Sequence, residues 1–157
     1  MKKSLILFCL LVLITGTAMS QTNSVALKSG TGTPISQHSS IQEAYNAIPG
    51  PLTQAYLIEI LSVYDGTMEA LPITFGLKDG ASATNTITLR PAAGNTGEII
   101  TGSSTTGILI LNEADYVIID GRPGGVGSTP DLKFVNLATS GTNANTIQLL
   151  NGACYNI

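Results

Sequence analysis

Three aspartates are the residues of this chain whose type and spacing first suggest chemistry. Asp115, Asp120 and Asp131 together offer the carboxylate oxygens that hard cations such as Ca²⁺ prefer. Asp120 is followed by Gly121 and Asp131 by Leu132, an arrangement typical of turn residues at the ends of strands. The sequence therefore predicts no metal site at these aspartates and no cofactor.

His38 is the single histidine of the 157 residues, so any Ser-His-Asp arrangement would have to use it. It lies in a polar segment, and the sequence contains no G-x-S-x-G elbow, phosphate loop, CxxC pair or dinucleotide fingerprint. We interpret His38 as a solvated side chain and predict no catalytic residue in this chain. The sequence leaves open whether the protein is an enzyme, while favouring a non-enzymatic role.

A repeated segment is the main structural signal. Residues 108–120 (ILILNEADYVIID) align with residues 147–157 (IQLLNGACYNI) at a constant offset of 39 residues, which is typical of stacked-repeat folds. Each copy predicts a short apolar strand, a corner at Asn and a second strand that opens with Tyr. The matching pairs are Asn112 and Asn151, Ala114 and Ala153, Tyr116 and Tyr155, and Ile118 and Ile157.

The repeated residue types have physical roles in such a stack. Asn tolerates the left-handed backbone of a sharp corner, and stacked Asn amides can bond to one another. Tyrosines could also stack on sugar rings, since their rings are amphipathic. Because Tyr116 and Tyr155 occupy equivalent positions, we expect them to stack on each other instead. The other tyrosines are Tyr45, Tyr56 and Tyr64.

The composition favours a fold built from short strands. The chain is 43% hydrophobic and only 11% charged, with 17 Gly and no Trp, whereas about 25% charged residues is typical. Many short strands separated by Gly, Ser, Thr and Asn corners leave a sandwich or a solenoid as candidates. The repeat favours the solenoid.

Residues 40–48 predict one short helix. Ser40 and Glu43 have the spacing of a capping box, and the Pro49-Gly50-Pro51 run ends the helix. Because the first coil of a solenoid has no neighbour, we expect this helix to cap its N-terminal end. The apolar residues that share one face of the helix are Ile41, Ala44, Tyr45 and Ile48.

Residues 1–20 have the features of a secretory signal peptide, with an uncleaved anchor as the alternative. Lys2 and Lys3 precede a short apolar run, and Ala18 and Ser20 place small residues before Gln21, where we expect cleavage. The protein is then secreted or at the cell surface. Residues 21–39 are interpreted as a polar linker with a short strand at residues 25–28, and they precede a domain over residues 40–157.

Cleavage would change the charge and the cysteine count. Without Lys2 and Lys3 the chain has 5 basic and 10 acidic residues, a net charge of −5. This balance argues against nucleic acid and anionic membranes as partners. Only Cys154 would be left, so no internal disulfide is possible. This thiol could be reactive or pair with another chain, but we interpret it as an inert packing residue.

Several segments carry a resemblance to a known family. Residues 40–49 (SIQEAYNAIP), 55–60 (AYLIEI) and 63–64 (VY) resemble the start of secreted right-handed parallel β-helix proteins of the pectin-lyase-like superfamily. Residues 86–94 and 114–121 resemble β-helix repeats of large secreted proteins of the Bacteroidetes type. The resemblance implies an all-β, right-handed parallel β-helix with an N-terminal capping helix. Further coils of the same chain are expected beyond residue 157.

The segment Gly121-Arg122-Pro123 resembles the GRPW segment of pectinesterases, in which the arginine assists catalytic aspartates. Gly124 stands where the tryptophan would be, and the aspartate segment of that family is missing. We interpret Arg122 as an exposed residue of a glycine-rich turn.

Two functions are consistent with these observations. The first is a non-catalytic secreted or cell-surface scaffold, similar to an adhesin, that contacts extracellular polysaccharides or other polymers. The second is the N-terminal part of a polysaccharide lyase, glycoside hydrolase or pectinesterase-like enzyme whose catalytic coils lie beyond residue 157. The plain repeat and the lack of a carboxylate or histidine cluster favour the first.

Overall fold

The computed structural model describes residues 23–157, so the predicted signal peptide lies outside the described residues. These residues form ten strands, one α-helix and one short 3-10 turn. The strands are β1 (Val25–Ser29), β2 (Pro34–His38), β3 (Tyr56–Ile60), β4 (Ile73–Phe75), β5 (Ile87–Pro91), β6 (Glu98–Gly102), β7 (Gly107–Asn112), β8 (Val117–Ile119), β9 (Leu132–Asn136) and β10 (Asn145–Leu150). The helix is α1 (Ile41–Asn46), and the 3-10 turn is η1 (Pro123–Gly125).

The strands are arranged in three small sheets. The first is mixed, with the order β2-β1-β3-β5-β8: β1 is antiparallel to both β2 and β3, whereas β3, β5 and β8 are parallel. The second sheet, β10-β7-β4, is entirely parallel, and the third pairs β6 with β9 in parallel.

The predicted right-handed parallel β-helix is wrong as a description of this fold. Residues 23–157 form one mixed and two parallel sheets with a short helix, and they show no solenoid or closed parallel β-helix. The spacing of paired strands is also uneven. Tyr56 pairs with Ile87, but Ile73 pairs with Leu109 and Glu98 with Leu132, so the offset of 39 residues is not a period of the whole chain.

An antiparallel hairpin accounts for part of this departure. The segment expected to be a linker with one short strand contains β1, at the expected place, and also β2. The two strands are joined by a tight turn in which Gly32 has a φ of 89°. The Ser29 N–H donates to the Thr33 carbonyl at 2.9 Å, which closes the hairpin. The sequence PISQH of β2 has a single large apolar residue, Ile35, so its strand signal is weak.

The core lies between the sheets and below the helix. Ile58, Ile60, Ile87 and Leu89 of the first sheet are at most 1% exposed, and burying each such side chain contributes about 1.5–3 kcal/mol. The other large side chains that are almost fully buried are Phe75, Leu27, Ile41, Ile48, Ile73, Ile100, Ile108 and Leu109.

Helix α1 begins with the cap that the sequence predicts, but ends two residues early. The Ser40 Oγ accepts a hydrogen bond from the Glu43 N–H at 3.1 Å. The Glu43 carboxylate accepts from the N–H and the hydroxyl of Ser39 rather than from Ser40. Ile48 lies beyond the last helical residue, yet it remains buried with Ile41, Ala44 and Tyr45.

Helix α1 covers the outer edge of β4 in the second sheet. The Gln42 side chain donates to the Thr74 carbonyl at 3.0 Å and accepts from the Thr74 N–H at 2.6 Å. These are the two bonds that a neighbouring strand would make. Tyr45 stacks on Phe75 with ring centroids 4.1 Å apart, and its hydroxyl donates to the Gly76 carbonyl.

We predict that Gln42→Ala destabilises the protein by about 1–2 kcal/mol, because two hydrogen bonds to a strand edge are lost. The free energy of unfolding in urea measures the effect. Gln37→Ala on β2 is the matched control, since Gln37 is exposed, and it should change stability by less than about 0.5 kcal/mol. Equal effects of the two substitutions would show that the Gln42 amide does not support the edge.

Candidate functional site

The two tyrosines of the repeated segment lie side by side. The rings of Tyr116 and Tyr155 are stacked, with centroids 5.0 Å apart and an interplanar angle of 11°. Both residues have a φ of 56°, in the left-handed region. The Tyr116 N–H donates to the Cys154 carbonyl at 3.3 Å, which joins the two copies through the backbone.

The asparagines of the repeat are also brought together. The Asn151 Nδ2 donates to the Asn112 Oδ1 at 2.6 Å. Asn151 has a left-handed φ of 53°, but in the first copy Glu113 takes this conformation, with a φ of 59°. The expectation that Asn itself turns each corner is therefore correct for Asn151 and incorrect for Asn112.

The remaining repeat residues hold the second copy against the first. Ala114 is buried and Ala153 is partly buried against the core. The Asn156 Oδ1 accepts from the Val117 N–H at 2.7 Å, and its Nδ2 donates to the Ala114 carbonyl at 2.8 Å. These bonds fix the backbone on both sides of the stacked rings.

An open cleft of about 390 Å³ lies beside the stacked rings. Tyr155 is 70% exposed, so much of its ring is accessible to a ligand. The lining contains flat apolar surface, hydroxyl and amide groups, and no charged residue. The lining residues are Ala83, Thr86, Tyr116, Ile118, Tyr155, Asn156 and Ile157. Sequence reasoning missed Ala83 and Thr86, because they precede β5 and no local pattern links them to the repeat.

The other tyrosines are buried and serve the fold. Tyr45 and Tyr56 are each 4% exposed, and burial raises the pKa of Tyr45 to about 12. The Tyr64 hydroxyl donates to Glu69 at 3.1 Å, and the Glu69 carboxylate also accepts from the Ile41 N–H at the start of α1. Burial raises the pKa of both Tyr64 and Glu69. This pair therefore supports the start of the helix.

Each of the three aspartates that suggested a cation site has a hydrogen-bond partner of its own. Asp115 accepts from the Cys154 N–H at 2.7 Å, Asp120 binds Arg122, and the Asp131 N–H donates to the Gly121 carbonyl. Within residues 23–157 no group of three or more His, Cys, Asp or Glu side chains is placed to hold a metal ion.

Cys154 is exposed, so it is not the packing residue that the sequence suggested. A hydrogen bond to Asp115 and the negative charge of that carboxylate raise the pKa of the Cys154 thiol. The raised pKa disfavours the thiolate, which is the nucleophilic form of a cysteine.

Arg122 and His38 have local partners. Arg122 forms two bonds with the Asp120 carboxylate, at 2.8 and 2.9 Å, and these bonds lower the pKa of Asp120. The 3-10 turn η1 that follows packs against β5. His38 lies on β2, with its Nε2 2.8 Å from the Ser36 hydroxyl.

A row of charges crosses the first sheet. The Glu59 side chain is only 5% exposed, and its carboxylate binds Lys28 at 2.5 Å and Arg90 at 2.6 Å. Burial opposes ionisation of Glu59, but the hydrogen bonds and charges of Lys28 and Arg90 outweigh burial and hold the pKa of Glu59 below its ordinary value. Because each charge in this group has a partner, we interpret it as structural.

Comparisons of the chain with protein-family models, with curated proteins and with solved structures found no match. The resemblance to the pectin-lyase-like superfamily stays a prediction. Within residues 23–157, a helix with the length and apolar character needed to span a membrane is not found.

We predict that Glu59→Gln destabilises the protein by about 2–3 kcal/mol at neutral pH. Breaking a fully buried ion pair costs about 3–5 kcal/mol, and the effect is smaller here because the Lys28 side chain is 27% exposed. A lowered pKa means that the Glu59 carboxylate stabilises the fold above the unfolded pKa of about 4.3. This contribution is lost as the pH falls through the folded pKa.

Unfolding in urea at several pH values checks this prediction. The difference between wild type and Glu59→Gln should shrink as the pH is lowered below about 4.3. The exposed Glu113 provides the control, and Glu113→Gln should stay within about 0.5 kcal/mol of wild type. A difference that grows in acid would contradict the structural role of the Glu59 carboxylate.

Proposed function

We propose that this chain is a non-catalytic, secreted or cell-surface module that contacts extracellular polysaccharide through the cleft beside Tyr116 and Tyr155. The observation that carries the proposal is the exposed Tyr155 ring, held by its stack on Tyr116 at the wall of an uncharged cleft. A pyranose ring has an apolar C–H face and polar edges, so it matches an aromatic ring bordered by hydroxyl and amide groups.

Charge favours a neutral polymer as the ligand. The cleft lining carries no charged residue, and the chain as a whole has a net charge of −3. A polyuronate would be repelled by the acidic protein and would find no cationic partner in the cleft. A neutral glucan or xylan meets neither obstacle.

Secretion is the second part of the proposal. It rests on the charged, apolar and small-residue regions of residues 1–20. A surface rich in Ser, Thr and Asn suits contact with hydrated polymers outside the cell.

We predict that a bacterial host exports the full chain and cleaves it before Gln21. Mass spectrometry of the exported protein should show an N-terminus at Gln21. Substituting Ala18 with Asp should block cleavage, because the peptidase requires a small residue there. Recovery of the intact leader on an exported wild-type protein would contradict cleavage at this site.

We predict that the wild-type chain is retarded in native gels containing hydroxyethylcellulose and runs freely in gels containing polygalacturonate. Tyr155→Asn should weaken binding by about 3- to 10-fold, since an aromatic stacking contact is worth about 0.5–1.5 kcal/mol. Asn is the chosen substitute because it adopts the left-handed backbone readily. Loss of binding is then separated from loss of fold.

Two further variants complete this test. Tyr155→Phe keeps the ring and should bind like wild type. Leu77→Asn is the matched control, because Leu77 is 59% exposed but lies outside the cleft. Retention of full binding by Tyr155→Asn, or equal loss in Leu77→Asn, would overturn the assignment of the cleft.

A further inference from the structure

Glu98 is a buried acidic residue at the start of β6. The strand pattern explains its burial, because Glu98 and Ile100 alternate with the exposed Ile99 and therefore point to the interior. Glu98 is only 8% exposed, and Ile100 on the same face is 1% exposed. A carboxyl group thus lies in the core-facing row of β6.

The polar groups that act on Glu98 are neutral or acidic. The Asn95 side chain forms a hydrogen bond with Glu98, but burial opposes ionisation more strongly than this bond favours it, so the pKa of Glu98 is raised. The charges of Glu98 and Asp65 in turn help to raise the pKa of Tyr64. The Tyr64 hydroxyl donates to Glu69, another acidic residue.

The positive groups of residues 23–157 lie elsewhere. Lys133 and Asp131 flank Leu132, which pairs with Glu98. Because neighbouring strand residues point to opposite faces, Lys133 lies on the outer face with its partner Ile99, and it is exposed. The other cations have partners of their own: Lys28 and Arg90 bind Glu59, Arg122 binds Asp120, Lys78 donates to the Ile48 carbonyl, and His38 lies beside the Ser36 hydroxyl. Glu98 therefore differs from Glu59, which is buried between two cations.

We propose that Glu98 makes this fold sensitive to pH: the carboxyl group is held uncharged in mildly acidic surroundings, and its ionisation loosens the start of β6. A carboxyl group buried without a cation is tolerated in its neutral form and costs free energy in its charged form. Because β6 is hydrogen-bonded to β9 alone within residues 23–157, an opening at Glu98 breaks few backbone bonds.

The direction of the pH effect follows from proton binding. Between the unfolded pKa of about 4.3 and the higher folded pKa of Glu98, the folded chain binds more protons than the unfolded chain. The contribution of Glu98 to stability therefore falls as the pH rises through this window, and it stays low above the window. Glu59 has a lowered pKa and acts in the opposite direction.

Unfolding in urea at about pH 4 and about pH 8, on the two sides of this window, tests the proposal. Glu98→Gln keeps the size and the hydrogen-bonding groups of a neutral carboxyl, so its urea midpoint relative to wild type should rise from the lower pH to the higher. The relative midpoint of Glu59→Gln should fall over the same range, and that of the exposed Glu113→Gln should not change. A relative midpoint of Glu98→Gln that is constant or falls would refute the proposal.

Two NMR measurements examine the ionisation and the opening separately. The carboxyl carbon signal of Glu98, assigned by its loss in Glu98→Gln, should titrate at a higher pH in the folded chain than in the chain unfolded by urea. Hydrogen exchange of the β6 amides, corrected for the intrinsic effect of pH, should become faster in wild type as Glu98 ionises, but not in Glu98→Gln. Titration of Glu98 at the same or a lower pH in the folded chain, or β6 exchange unaffected by its ionisation, would overturn the proposal.

Discussion

Every β-strand needs partners for its backbone groups, and two edges of this structure meet the requirement in different ways. An unpaired edge exposes a row of N–H and carbonyl groups that attract other strands. In the first sheet the requirement is met by a hairpin, which places β2 outside β1. In the second sheet it is met by a side chain, because the amide of Gln42 bonds to both backbone groups of Thr74.

A second constraint follows from the burial of both faces of β3. Strand β3 is buried along its whole length, so the side chains on both of its faces are withdrawn from water. Glu59 is one of them, and an unpaired buried carboxylate would be very costly. Lys28 on one neighbouring strand and Arg90 on the other supply the compensating charges. Because β3 lies between β1 and β5, Lys28 and Arg90 are both close enough to compensate the charge of Glu59.

Sequence reasoning was most successful where the signal is local. The cap at Ser40, the buried face of α1 and the meeting of Tyr116 with Tyr155 all depend on spacings within one or two short segments. It failed for the fold class, because sheet order depends on pairings between distant strands. It also missed β2, whose five residues lack the alternation of a strand. The cleft was not predictable, since Ala83 and Thr86 are joined to the repeat only by folding.

The left-handed backbone of the two stacked tyrosines has a thermodynamic consequence. An L-residue in this conformation costs roughly 1–2 kcal/mol, whereas a stacked aromatic pair returns only about 0.5–1.5 kcal/mol. For Tyr116 and Tyr155 together, the free-energy cost of the left-handed backbone thus exceeds the free energy gained from ring stacking. Glycine would adopt this backbone conformation at both positions without the steric cost. The hydrogen bonds of Asn156 to Val117 and Ala114, and the backbone bond between Tyr116 and Cys154, must therefore help to hold the two tyrosines in this conformation.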